Sequence, residues 1–112
     1  MIMAQIDFKS LTDTLLGTLK NSLGDKWQAI SSLATTSAKT LAHNLVEIEK
    51  MSVNKKITPE QAKLLFNMQK NALTTVLLSE EGLGLLAAEA AINDVLDAIK
   101  GIANKALGFA LI

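Results

Sequence analysis

This chain contains no cysteine, no arginine and no tyrosine, and it has a single proline, a single tryptophan and a single histidine. Each absence removes a class of explanation. Without cysteine, neither a disulfide framework nor a thiolate metal site can support the fold, and catalysis by a thiol nucleophile is excluded. Without arginine, the side chain best suited to bidentate recognition of phosphate or guanine is missing. The eleven basic residues are all lysine and are balanced by eleven acidic ones, so no net field draws the protein toward nucleic acid or an anionic surface. Trp27, Phe8, Phe66 and Phe109 are the only aromatic residues, too few to build a base-stacking platform. Nucleic acid is therefore not an expected partner.

What is present is apolar helix-forming sequence. Nearly half of the 112 residues are hydrophobic, mostly leucine, alanine and isoleucine, and the C-terminal third is the richest. A compact chain of this length buries roughly two thirds of its unfolded surface, enough for one core without covalent support. No fixed-period repeat, charge block or low-complexity linker interrupts it, so residues 1–112 are read as one helical domain.

The segment from Asn54 to Gln61 organises the pattern. Ser52, Asn54, Lys55 and Lys56 form a polar break, Thr58 has the character of an N-cap, and Pro59 falls at the first helical position, where its missing N–H is harmless. Gln61 completes a capping box with Thr58. Helices joined by so short a loop pack antiparallel, which predicts an αα-hairpin.

Before that turn, Asp7 reads as an N-cap with Ile6 stapled onto Leu11, and Phe8, Leu11, Leu15, Leu19 and Leu23 trace one apolar face. Gly24 supplies a left-handed stop, and Asp25 with Gln28 predicts a second capping box. From residue 26 to residue 51, Trp27, Ile30, Ala34, Ser37, Leu41, Leu45 and Ile48 recur at coiled-coil spacing. At ~1.5 Å per residue this helix approaches 40 Å, longer than a compact globule of this size is wide, so the molecule is expected to be elongated. The small residues Ala34 to Ala38 predict tight helix packing rather than a ligand cavity.

After the turn, Ala62, Leu65, Phe66, Gln69, Ala72, Leu73, Val76 and Leu77 continue the helical rhythm to about residue 81, and Leu64, Met68 and Leu78 widen the apolar surface beyond one stripe. Either Ser79 caps a restarted helix, with Glu80 and Glu81 in its first turn, or the helix runs straight through and Gly82 and Gly84 allow close approach of another backbone. Counted from Lys55, Gly24 and the pair Gly82 and Gly84 are nearly equidistant, which favours bending of both arms and a four-helix bundle over an extended rod. The fourth helix is expected over 85–107, with Leu85, Ala88, Ile92, Val95, Leu96, Ile99, Ile102 and Ala106 apolar and Glu89, Asn93, Asp97, Lys100 and Asn104 polar. Gly101 within it predicts close packing or the onset of fraying, at a cost of about 1 kcal/mol relative to alanine. The fold expectation is thus all-α, an elongated αα-hairpin folded as a four-helix bundle with helices near 8–23, 26–51, 59–81 and 85–107.

Candidate chemistry is sparse. His43 and Glu47 share a helix face, but two ligands do not make a zinc site, and the Glu-x-x-His pairs of di-metal bundles are absent. Glu80, Glu81, Glu89, Asp94 and Asp97 fit first-turn and solvated-stripe positions better than a paired acid and base. The cluster Ser31, Ser32, Thr35, Thr36, Ser37 and Thr40 lacks a base to activate any hydroxyl, and Gly82-Leu83-Gly84 lacks the context of a phosphate loop. No catalytic residue, cofactor or metal is expected.

The sequence points instead to a non-enzymatic structural or interaction protein that self-associates, or binds a helical protein, through apolar helix faces. The interface expected from the sequence comprises Trp27, Leu83, Leu86, Ile99, Ile102, Leu107, Phe109, Leu111 and Ile112. Small helical modules of this kind occur in phage particles, secretion systems and adaptor complexes, a setting named by fold-level analogy alone. The alternative is a membrane-active protein in which the apolar C-terminal helix and tail lie on a bilayer. The absence of a signal-like start and of a clear transmembrane span points to a cytoplasmic location.

Overall fold

A computed structural model describes residues 6–80 and 83–112. Within them the chain forms four α-helices and no strand: α1 (Phe8–Leu23), α2 (Trp27–Val53), α3 (Pro59–Leu78) and α4 (Leu85–Leu107). The molecule measures 46 × 23 × 19 Å, an elongated shape set by the length of α2.

Helix starts follow local chemistry. The carboxylate of Asp7 accepts the backbone N–H of Ser10 at 3.0 Å and so caps α1, while Ile6 and Leu11 are both buried where a staple places them. At the start of α3, the Thr58 hydroxyl accepts the N–H of Gln61 at 3.1 Å, and the Gln61 side-chain oxygen accepts the N–H of Thr58 at 2.8 Å. The capping box is complete, with Pro59 behind it.

The end of α2 lies at Val53, two residues later than the polar break suggests. Lys55 takes a left-handed conformation with φ 60°, and the N–H groups of Lys55 and Lys56 return to the carbonyls of Ser52 and Met51. This is a Schellman closure with lysine where glycine is usual. Lysine bears a Cβ that opposes the left-handed conformation, so the position is strained.

Three local expectations are corrected. Asp25 does not cap α2: Gly24–Lys26 form a single 3-10 turn, and Lys26 precedes Trp27 in a helical conformation without any side-chain cap. The chain keeps turning after Gly24, itself at φ 58°, so no extended residue is left to act as an N-cap. Ser79 does not start a helix but ends one. Its N–H bonds back to Thr75 and Val76, and its hydroxyl donates to the Val76 carbonyl at 2.6 Å, closing α3 at Leu78 rather than near 81. Gly84, with no side chain to offer, sits at the N-cap of α4; Glu81 and Gly82 lie outside the described residues. Gly101 neither packs closely nor frays the helix, since nothing lies within 4 Å of where its Cβ would be and α4 continues to Leu107.

The helices associate as two close pairs, α2 with α3 and α1 with α4, and α2 joins the pairs through α1. Side-chain hydrogen bonds tie both pairs: Asn44 donates to Gln69 at 2.8 Å between α2 and α3, and Ser22 donates to Asp94 at 2.8 Å between α1 and α4. Asn44 and Gln69 stand at nearly equal distances from the ends of the turn, as an antiparallel hairpin requires. Among the described residues α2 also touches α4, whereas α1 and α3 do not meet. Small side chains account for this asymmetry: α2 buries Ala34, Ala38 and Ala42 completely, and α4 buries Ala88, Ala91 and Ala103, allowing closer approach than the leucines of α1.

The core is continuous. Leu11, Leu15, Leu19, Leu45, Leu73, Leu77, Val95 and Ile99 are its largest fully buried side chains, contributed by all four helices. Each is worth roughly 1.5–3 kcal/mol in removal from water.

Candidate functional site

The carboxylates, histidine and hydroxyls do not converge. His43 is exposed and Glu47 half-buried on the same helix, and among the described residues no group of three His, Cys, Asp or Glu is arranged to hold a metal ion. The hydroxyls of Ser31, Thr36 and Thr40 donate to the carbonyls of Gln28, Ser32 and Thr36 within α2, so their protons are committed to the helix. Asp94 is engaged by Ser22. Open hollows occur on the surface of the described residues. One, of about 630 Å³, lies at the α1–α2 elbow beside Lys20, Asp25, Trp27 and Gln28. Another, of about 370 Å³, lies between α3 and α4 beside Lys70, Thr74, Glu89 and Asn93. Neither contains a buried polar group aimed at a ligand.

The apolar residues expected at an interface divide into two sets. Leu83, Ile99 and Leu111 are buried within the chain itself, and Trp27, Leu107, Phe109 and Ile112 are half-buried against the same core. Leu86, at 82 % exposure, and Ile102 remain on the surface.

The tail is held by one side chain. The Asn104 side-chain oxygen accepts the N–H of Leu111 at 2.8 Å and of Ile112 at 3.1 Å, while its amide donates to the Ile112 carbonyl at 3.3 Å. Gly108, left-handed at φ 81°, turns the chain back so that this clamp can form, and Leu111 is left 7 % exposed. Asn104 reads in the sequence as part of a solvated stripe; its pairing with the backbone seven and eight residues on has no periodic signature.

Exposed apolar side chains occur on every helix, with Phe8 on α1, Leu33 and Val53 on α2 and Leu85, Leu86 and Ile102 on α4, and α3 carries three along one stripe. Leu64 is 64 % exposed, Met68 57 % and Leu78 42 %, on the same stripe as exposed Asn71 and Thr75. Leu64, Met68 and Thr75 each follow a buried residue, Ala62, Phe66 and Leu73, by two positions, about 200° around the helix. The stripe therefore points away from the core. Between Leu64 and Ser79 the outward residues Asn67, Met68, Asn71, Ala72, Thr75 and Leu78 are all uncharged, although a fifth of the chain is charged. Loss of charge around exposed apolar side chains is the compositional mark of an interface centre. Leu85 and Leu86, exposed at the start of α4, add to the apolar surface beyond the end of α3.

Comparison with family models, with curated proteins and with solved structures finds no match for this chain.

Proposed function

We propose that this protein is a non-enzymatic helical interaction module that associates with further copies of itself through outward apolar helix faces, as a small component of a larger assembly. The observation that carries this reading is the outer face of α3 from Leu64 to Leu78, where no exposed residue is charged and Leu64, Met68 and Leu78 meet solvent on the side opposite the core. An apolar stripe of this length serves no purpose within the monomer, because the bundle already has its core, and water contact with it is unfavourable. Burying it against another helix removes that cost.

A bilayer is the less supported partner. The tail would first have to leave Asn104, exposing Leu111 and unpairing backbone groups, and among the described residues no helix is long and apolar enough to cross a membrane. Phage particles and secretion machines are settings in which small self-associating helical subunits serve, by analogy of fold alone. Light scattering across a concentration series tests the proposal: the apparent mass rises with concentration if it holds, and a constant monomer mass contradicts it.

A further inference from the structure

The outer stripe of α3 has a spacing that specifies more than stickiness. Leu64, Met68, Asn71, Thr75 and Leu78 alternate steps of four and three, the spacing of a coiled-coil seam on the face turned away from the core. Met68 and Thr75 occupy one seam position of the heptad, and Leu64, Asn71 and Leu78 the other. In an antiparallel pair each layer combines the two kinds of position, so several registers are available; one sets Leu64 against Met68 but places Asn71 against Gln61, whose side-chain oxygen is already committed to the Thr58 cap, and two centre nearer the middle of the stripe. In one, Met68 meets Asn71, Leu64 meets Thr75 and Leu78 meets Gln61, so apolar groups face polar ones throughout. In the other, Met68 meets Leu78 and Asn71 meets Thr75, the two-fold axis repeats both layers, and Leu64 falls opposite a position past the end of α3.

We infer that α3 pairs antiparallel with α3 of a second copy of this chain in the second register, Met68 against Leu78 and Asn71 against Thr75. This pairing rests on the self-association proposed above. Three observations support a second copy as the occupant. The pattern is self-complementary about a two-fold axis, as an isologous dimer requires. The outward residues from Leu64 to Ser79 carry no charge, so two identical faces meet without repulsion. The Thr75 hydroxyl already donates to the Asn71 carbonyl in its own helix at 3.0 Å, leaving its oxygen free to accept from the Asn71 amide of the second copy. That polar layer fixes the register, since a slip to the other register leaves an amide against Met68. Antiparallel alignment also opposes the two helix dipoles, which a parallel pair would align.

Because the chain has no cysteine, single thiols report the pairing without background. Full-length Met68→Cys and Leu78→Cys are prepared separately, mixed, left to exchange at low concentration, concentrated and oxidised. The expected result is a covalent dimer in the mixture, formed roughly tenfold or more faster than in either variant alone, because only the mixed pair holds thiols at millimolar effective concentration. Asn71→Cys mixed with Thr75→Cys is expected to behave in the same way. Both sites are exposed, and circular dichroism checks that each variant keeps its helix content. Equal cross-linking by Met68→Cys alone indicates a parallel pair and overturns the inference. A dimer by light scattering that cross-links through none of these positions overturns the inference while leaving self-association standing. A chain that stays monomeric at every concentration overturns both.

Discussion

The side-chain oxygen of Glu49, near the end of α2, accepts the backbone N–H of Ile6 at 3.0 Å, joining residues forty-three apart, and both are buried. This bond fixes where the chain enters α1 and holds Ile6 over the core. Removing the acceptor strands a buried amide, whereas an isosteric acceptor preserves the bond. Glu49→Leu is expected to lower stability by about 1–3 kcal/mol and Glu49→Gln by less than about 1 kcal/mol. Chemical denaturation of the two variants measures the difference; equal losses would show that the Ile6 contact carries no weight.

Lys55 offers the opposite sign. Its left-handed φ of 60° costs a residue with a Cβ about 1–2 kcal/mol, a penalty that glycine escapes. Lys55→Gly is expected to raise the thermal midpoint, and Lys55→Ala is not. A destabilised Lys55→Gly would mean that the greater freedom of glycine in the unfolded chain outweighs the relief of strain.

Acid titration isolates the α1 cap. The hydroxyl of Ser10, then its backbone N–H, holds the Asp7 carboxyl below its ordinary value of 3.8, outweighing a small opposing effect of burial. A carboxyl depressed in the folded state stabilises the protein fully above that ordinary value, and the contribution falls away as pH drops through the lower folded value. Wild type and Asp7→Asn are therefore expected to differ at neutral pH and to converge in strong acid. Denaturation at several pH values checks this; a gap that persists at the lowest pH contradicts it.

Asn104 governs the tail alone. Asn104→Ala removes the clamp on Leu111 and Ile112 and is expected to speed amide exchange at those two residues while α4 up to Ala103 stays protected. Unchanged exchange would show that the burial of Leu111 suffices to hold the tail. The same variant tests whether a released tail gains affinity for vesicles, which the membrane alternative requires and the self-association reading does not.

Much of this architecture is legible in the sequence because it is written in local codes. Asp7, Thr58 and Gln61 act within three residues of themselves, and the leucines of α1 recur with the helix, so α1 and α4 begin and end where the pattern places them. Boundaries set by competing local bonds are less legible. Ser79 can begin a helix or close one, and its hydroxyl is drawn to the Val76 carbonyl; Asp25 can cap only from outside a helix, and it lies within the 3-10 turn that runs into α2. Contacts between distant residues leave no periodic trace at all, as with Glu49 and Ile6, Asn104 and the tail, or Ser22 and Asp94. The apolar surface shows the same limit. Composition marks the C-terminal third as the richest, and the structure divides it: the tail folds back onto the bundle while Leu85, Leu86 and Ile102 stay exposed on α4, and a further open stripe belongs to α3. Leu64, Met68 and Leu78 register in the sequence as surplus to one stripe; which side of the helix the bundle leaves uncovered is decided by where the other helices pack.

The measurement that tests the central claim most directly is the solution mass of wild type and Met68→Glu, followed by sedimentation from low micromolar to the highest soluble concentration. Met68 is largely exposed, so the substitution is expected to change monomer stability by no more than about 0.5 kcal/mol while burying a carboxylate in any α3–α3 contact. The account predicts a concentration-dependent dimer for wild type and a monomer throughout for Met68→Glu, with equal helix content. A wild-type chain that stays monomeric, or a Met68→Glu variant that dimerises as wild type does, would contradict it.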